Sequence, residues 1–347
     1  MGSFSTTNPA ERIGKFKGEI LAHAMPVETL GIVGVQKYLP RNSSKTVSMR
    51  RFRPYGALAT NENTKNRWVV DSTAHILTEG VTPTSDSLVP DNVEVTIQQY
   101  GCLYQTFDQV DDTYEDDIPP ELKKQTGERV GLIREMVRYG VVKAGTNVYY
   151  SGGTTRGTVD EKITLNVLRK ASRTLQLNHA KRVTGVLAPS INIATQPVEA
   201  AYLVFVSTDA EGDIRDLAGF KHVSEYGQRK VVDQNEIGSG ENFRFITSPE
   251  LAGYPDSGAA VGATGCFSTS GTLIDVYPFV ICGEDAWGQV ALRGDNATDP
   301  TWIPPGQKSK SDPLGQRGFC GAKFYFACKV LNEGWMAVIE AGIDDLA

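Results

Sequence analysis

Between Gly56 and Asp91 the chain carries roughly 35 mostly polar residues, rich in Thr, Asn, Ser and Pro, a length seldom left irregular inside a compact domain unless it serves a function. The flanking segments read as strands. Lys45 to Tyr55 is the first. In the second, Asn92 to Thr106, Val93, Val95 and Ile97 alternate with Glu94, Thr96 and Gln98, the period of two expected of a half-buried strand. Two strands joined by a long polar tip predict an extended ribbon. A lone two-stranded ribbon is marginally stable in water, so such a ribbon is expected to lie on another chain.

The residues before it, 1–45, read as an arm. Phe4, Ile13, Phe16, Ile20 and Leu21 are scattered among Gly, Asn and Ser, so no stretch buries a face of its own and fraying is expected in a free monomer. Met1 to Ala10 has no apolar core and does not read as a secretion signal.

Downstream the pattern is mixed. After Pro119 and Pro120 a helix is expected from about Glu121 to Lys143, with Val130, Ile133, Val137 and Val141 as one apolar stripe and Leu132, Met136 and Tyr139 as another. Gly127 and Gly131 lie inside it; their helix-weakening effect implies close backbone packing. A second helix is expected at Val159–Leu177, entered through a Thr158/Glu161 capping box. A third is expected at Asp209–Phe220, capped by Asp209. Strands are expected at Ala201–Ser207, Phe243–Thr247, Thr272–Ile281 and Gln289–Leu292, with a long strand or strand pair over Gly318–Glu340. No regular βαβ repeat appears, so the fold class is α+β.

Composition is close to the globular average, 40% hydrophobic and 22% charged, which argues against a disordered or fibrous chain. The net charge of −6 does not resemble a nucleic-acid-gripping domain, although weak repulsion suits a protein that encloses DNA without sticking to it. No run is long and apolar enough to cross a bilayer. The five cysteines are widely spaced, with no CxxC pair, and read as free thiols.

Catalytic and cofactor motifs are not found: no GxxxxGK[ST], no GxGxxG after a strand, no HExxH, no GxSxG, and four histidines far apart in sequence. Neither a catalytic residue nor a cofactor or metal site is expected. The acidic run at residues 108–117 lacks the spacing of a calcium loop and reads as a solvated turn before a helix. Arg50, Arg51 and Arg53 lie at the base of the ribbon. They fit either a solvated strand face or a contact with phosphate or a neighbour's carboxylates.

Several stretches, in order, resemble the major capsid protein family of N4-like tailed phages: LTEGVTPT (Leu77–Thr84), VTIQQYG (Val95–Gly101), the segment Ile133–Tyr150 ending in AGTNVYYSGG, NEIGSGENFRFITSPEL (Asn235–Leu251), GEDAWGQVAL (Gly283–Leu292), SDPLGQRGFCGAKF (Ser311–Phe324) and VLNEGWMAVIEAG (Val330–Gly342). Residues 61–74 look like extra length relative to that pattern, with Trp68, Val69 and Val70 as a small apolar anchor. Lys181–Ala200 reads as a separate loop.

The resemblance implies a Hong Kong 97-like coat fold. Residues 1–45 would be its N-terminal arm and 46–106 its extended loop. Residues 107–164 and 296–347 would form a peripheral domain, with a spine helix at about 121–143, and 165–295 the axial domain. It implies a non-enzymatic shell protein of the virion, made in the host bacterial cytoplasm. Expected partners are copies of itself in hexamers and pentamers, a portal, scaffolding or decoration proteins, and non-specifically contacted double-stranded DNA; no membrane is implied. Residues expected at inter-subunit contacts are Arg50, Arg51, Arg53, Lys65, Trp68 and Glu79. The rival readings are an encapsulin-like compartment of the same fold and a shell cross-linked by a Lys–Asn isopeptide bond through Lys65.

Overall fold

A computed structural model describes residues 28–40, 44–52, 57–58, 68–69, 72–83, 85, 87, 90–109, 118–183, 200–226, 231–262, 265–292, 298–308 and 312–345. Arg53, Lys65, most of the arm and most of the acidic run fall outside them. The described chain divides into two compact units. The first takes in residues up to Lys45, Thr96–Ala144 and Trp287–Lys329; the second takes in Thr46–Val95, Gly145–Ala286 and the chain from Val330.

In the first unit one long helix, α1 (Ile118–Val142), covers a five-stranded sheet. Its strands are β1 (Val35–Leu39), β6 (Gln98–Phe107), β13 (Trp287–Leu292), β14 (Asp299–Ile303) and β15 (Arg317–Val330). β15 runs antiparallel to both β6 and β14, and β1 runs parallel to β13 with Val35 opposite Gly288 and Leu39 opposite Leu292. Part of the expected arm is therefore built into the sheet. Thr29, Leu30 and Val33 are buried, and Gly34 turns the chain into β1 at φ +122°, where a Cβ would come within 2.5 Å of the Trp287 ring nitrogen.

The buried face of α1 is not the apolar stripe. It consists of Thr126, Gly127, Val130, Gly131, Arg134, Glu135, Arg138, Tyr139 and Val142, whereas Ile133, Val137 and Val141 are only half-buried and Met136 is exposed. The sheet explains the inversion. Thr126 Oγ1 meets Cys320 Sγ at 3.3 Å, and the guanidinium groups of Arg134 and Arg138 lie over the rings of Phe324 and Phe326 at 5.2 and 5.1 Å. Helix and strand run in the same direction. Four helical residues rise ~6 Å while two strand residues advance ~6.6 Å, so every fourth residue of α1 meets every second residue of β15. The cation–ring stack makes arginine a better filler there than an aliphatic side chain. Gly127 and Gly131 are both buried on this face.

The second unit is centred on a seven-stranded sheet in the order β7–β16–β12–β8–β11–β10–β9. The strands are β7 (Val148–Tyr150), β8 (Tyr202–Ser207), β9 (Lys221–His222), β10 (Glu236–Gly240), β11 (Phe243–Ser248), β12 (Tyr277–Cys282) and β16 (Met336–Ala341). β8, β11, β12 and β16 are buried at every position, which accounts for their near-continuous apolar sequence. Leu168, Ala171 and Leu175 of helix α2 (Leu165–Leu177) share the core of this unit with Val204, Phe245 and Ile339. A second, short helix, α3, spans Glu211–Arg215. The ribbon strands β2 (Thr46–Phe52) and β5 (Pro90–Thr96) pair as a two-stranded sheet; within the stretch between them β3 (Ala57–Leu58) pairs antiparallel with β4 (Trp68–Val69). Val95 is buried and Glu94 exposed, as the alternation requires.

Four expectations change. Residues 296–347 do not stay together: β15 belongs to the unit of α1, while β16 pairs with β12 and β7 in the other unit. Asn332 caps the turn Glu333–Trp335 that separates them, its side chain accepting from the Gly334 N–H. Residues 159–164 are extended, not helical; the capping box uses Thr155 and Thr158, and Thr164 stands at the N-terminus of α2. The segment after β8 is capped by Ser207, not Asp209, and its helix stops at Arg215. Residues 272–276 form isolated bridges to Ala260 and Tyr254 in place of a strand, because β12 begins only at Tyr277.

Candidate functional site

Among the described residues no group of His, Cys, Asp and Glu is arranged to hold a metal ion. The candidate sites are two exposed surfaces and one buried cluster, and the first is the ribbon. At its base Arg50 Nε donates to Asn92 Oδ1 at 2.9 Å on the paired strand, and both residues are exposed. Towards its tip a short 3-10 turn (Ser72–His75) leads into Ile76, Leu77 and Val81, which are 74, 72 and 64% exposed. A turn through Glu79 and Gly80 (φ +79°) is closed by the Val81 N–H donating to the Thr78 carbonyl at 3.1 Å. Three apolar side chains stand largely in water here, a candidate interaction surface. Sequence reading singled out Glu79 here and missed its apolar neighbours.

Of the six residues expected at contacts, Arg50 and Glu79 are exposed on the ribbon. Arg51 lies on β2 and Trp68 on β4, opposite Leu58. Arg53 and Lys65 lie outside the described residues.

The second surface is the face of the first unit's sheet that α1 does not cover. Strand alternation places Leu103 and Phe107 of β6, Phe319 and Gly321 of β15 and Thr301 and Ile303 of β14 there. Leu103, Phe107 and Ile303 are 60, 47 and 37% exposed. Gly101 and Gly321 leave a shallow apolar depression beside Leu103, Thr301 and Lys323. Gly321 is required there, since a Cβ would sit 2.6 Å from the Cys102 carbonyl oxygen. β6 carries apolar side chains on both faces, so no periodicity announced this patch.

The third feature is buried and fixes the N-terminal segment. Glu135, fully buried on α1, accepts through Oε1 from the Thr29 N–H (3.1 Å), the Thr29 hydroxyl (2.8 Å) and the Leu30 N–H (2.8 Å). Its other oxygen faces Arg138 Nη1 at 3.5 Å. Arg138 also donates to Glu28 (2.6 Å) and to Gln289 Oε1 on β13 (2.8 Å), and Arg134 to Thr298 (3.3 Å). Two carboxylates, the buried Glu135 and the half-buried Glu28, thus face two buried guanidinium groups. Burial pushes the Glu135 carboxyl up from its usual range, opposed by the Leu30 N–H, Arg138 and Thr29.

No protein-family model matches the chain. The major capsid protein of Pseudomonas phage KPP21 is 21% identical over 224 residues, a match covering 60% of this chain and 56% of that protein. The chain thus spans about half the length of the curated relative it matches. Solved structures align over most of its length. The capsid of Ralstonia phage GP4 matches with a TM-score of 0.62 and 12% identity, covering 90% of this chain and 87% of the other. The head of Helicobacter pylori bacteriophage KHP40 gives 0.57 and 10%, covering 92% and 89%. The capsid of cyanophage P-SCSP1u gives 0.53 and 12%, covering 91% and 88%. The α+β architecture is the fold of these phage capsid chains.

Proposed function

We propose that this chain is the major capsid protein of a tailed phage, self-assembling into an icosahedral head that encloses double-stranded DNA. The observation that carries the reading is the alignment of about nine-tenths of the chain with phage capsid structures, joined to the sequence match with a phage major capsid protein. An encapsulin-like compartment is not favoured by these relatives, and the role is structural, not catalytic.

In finer terms we read the fold as Hong Kong 97-like, of the N4-like branch. The unit of α1 would be the peripheral domain and the unit of the seven-stranded sheet the axial domain. The ribbon would be the extended loop, lying across a neighbouring subunit in hexamers and pentamers. The exposed Ile76, Leu77 and Val81 support this reading, because burial of a fully exposed aliphatic side chain contributes ~1.5–3 kcal/mol. Repeated around a capsomer, such modest contacts act together. Arg50, Arg51, Arg53, Lys65, Trp68 and Glu79 belong to the same proposed contact. Portal, scaffolding or decoration proteins would be further partners.

The test is expression of the full chain and of a variant lacking Asn61–Val70, each imaged by negative-stain electron microscopy. Closed shells from the full chain and failed or aberrant assembly from the deletion are expected. Normal shells from the deletion would refute the ribbon's role, and a monomeric full chain under all assembly conditions would refute the function. Denaturing electrophoresis of the shells addresses cross-linking: a ladder of multimers would favour the isopeptide reading through Lys65.

A further inference from the structure

From Lys162 to Val198 the sequence contains no Asp or Glu, yet it carries Lys162, Arg169, Lys170, Arg173, Lys181 and Arg182. The chain as a whole has 35 basic and 41 acidic residues; with these six removed, the remainder holds 29 basic residues against 41 acidic, a net of −12. Positive charge is therefore raised in this segment of an acidic protein, as it also is over Thr29–Asn61, which carries Lys37, Arg41, Lys45, Arg50, Arg51 and Arg53 and no Asp or Glu.

The structure puts the centre of that segment on one side of α2. Leu168, Ala171, Ser172 and Leu175 face the core, while Arg169, Lys170 and Arg173 are exposed. At ~100° per residue the three cations fall within an arc of about 100° on the side opposite the buried residues. Arg169 donates to Glu241 at 2.8 and 2.6 Å, and the Lys170 ammonium stands 5.5 Å from the Tyr149 ring centroid. Arg173 and Lys181 are exposed and form no ion pair among the described residues. Lys162, by contrast, is engaged by Asp344. An ordinary solvated helix face mixes signs and gains from i,i+4 pairs of opposite charge; on this one α2 itself contributes cations only, and Glu241 answers Arg169 from outside the helix.

We propose that this face of α2, extended by Lys181, is a contact surface for the phosphate backbone of duplex DNA. The choice of polyanion rests on the shell function proposed for the chain. Net negative charge elsewhere does not prevent the contact, because at physiological salt charges are screened beyond ~8 Å. The face offers guanidinium and ammonium donors flanked by Asn166 and Gln176, and the ring beside Lys170, Tyr149, is half-buried. That suits backbone contact without sequence reading and does not suit base stacking on single strands. Each subunit reaches few phosphates, so attachment is local and weak, and a shell repeats it over its whole surface.

The experiment uses the full chain and a short fluorescein-labelled duplex in two unrelated sequences, titrated by anisotropy over a range of salt. Poly-glutamate serves as a competing polyanion probe. Binding is expected to be indifferent to sequence. The triple variant Lys170→Gln/Arg173→Gln/Lys181→Gln should lower the slope of log K against log salt by about 2 to 3, at ~0.9 for each phosphate no longer neutralised. A control neutralising Lys308, Arg317 and Lys329 in the other unit should leave the slope unchanged. Equal loss in the control, or binding of poly-glutamate with none of duplex, overturns the proposal; the latter points to an acidic protein partner instead. Shell formation by negative stain is scored separately. Duplex binding through this face without shells would overturn the capsid reading and leave this contact standing.

Discussion

Replacing Arg138 with methionine tests whether a buried charge cluster fixes the N-terminal segment. Arg138 is 2% exposed, and its guanidinium lies over Phe326 and donates to Glu28 and Gln289 while facing Glu135. Methionine keeps much of the volume, so packing changes little and the loss is chiefly electrostatic. Removing one partner from a buried pair typically costs ~3–5 kcal/mol, because the remaining charge is left uncompensated. That is a large share of the ~5–15 kcal/mol that holds a domain together. Chemical denaturation of the unassembled chain, followed by tryptophan fluorescence, measures it. The double variant Arg138→Met/Glu135→Met separates two accounts. If charge pairing were all that mattered, removing both partners would restore most of the stability. Glu135 also accepts from the Thr29 and Leu30 N–H groups, and an orphaned buried donor costs ~1–3 kcal/mol. The double variant is therefore expected to remain destabilised and to show faster proteolysis near residues 28–33. A loss below ~1 kcal/mol in Arg138→Met would refute the electrostatic argument; full recovery in the double variant would refute the role of Glu135 as the acceptor for the segment.

Three further outcomes follow from the same geometry. Burial raises the Glu135 carboxyl above its unfolded value of 4.5, so the folded state holds this proton more tightly. The associated stability is present below that pH and is lost as pH rises through the raised value, and Glu135→Gln should flatten this part of the stability–pH curve. Gly34→Ala meets both a left-handed φ and the Trp287 ring; a loss of at least ~2 kcal/mol in denaturation is expected, against ~1 kcal/mol for Gly271→Ala, which has open space. All five cysteines are buried, and burial pushes Cys102, Cys282, Cys320 and Cys328 up, the last to about 12. Thiol-reagent titration should find them slow in the native chain and all five fast in denaturant; two or more fast native thiols would contradict the core packing.

What the sequence made legible was local. The alternation around Val95 fixed a strand face, and Pro119–Pro120 fixed a helix start to within a few residues. The apolar run Ala201–Ser207 reads as a strand and, as β8, is buried on both faces, while β16 falls within the strand pair expected over Gly318–Glu340. Hydropathy misjudged α1. Its inward face carries Arg134, Glu135 and Arg138, and nothing local reveals that Phe324, Phe326 and the Thr29 N–H wait for them nearly two hundred residues downstream or a hundred upstream. β1 escaped for the same reason, since its parallel partner β13 lies about 250 residues away and parallel pairing leaves no hairpin turn to read. The ribbon was visible as a polar insertion between strands. Its apolar tip was not singled out, because three aliphatic residues among Thr, Glu, Gly and Pro set no period.

The stacking of α1 on β15 behaves as a vernier. Two scales of ~6.0 and ~6.6 Å start in phase at Thr126–Cys320 and part by ~0.6 Å with each pair, about 2 Å by Arg138–Phe326. Sliding one scale along the other by less than a full division sets each guanidinium over the gap between two rings. The strand can thus shift only in jumps of two residues, and a single-residue slip turns its aromatic rings to the opposite side. Such a joint locks the register of β15 against α1 through side chains alone, with no backbone hydrogen bond between helix and strand needed to hold it.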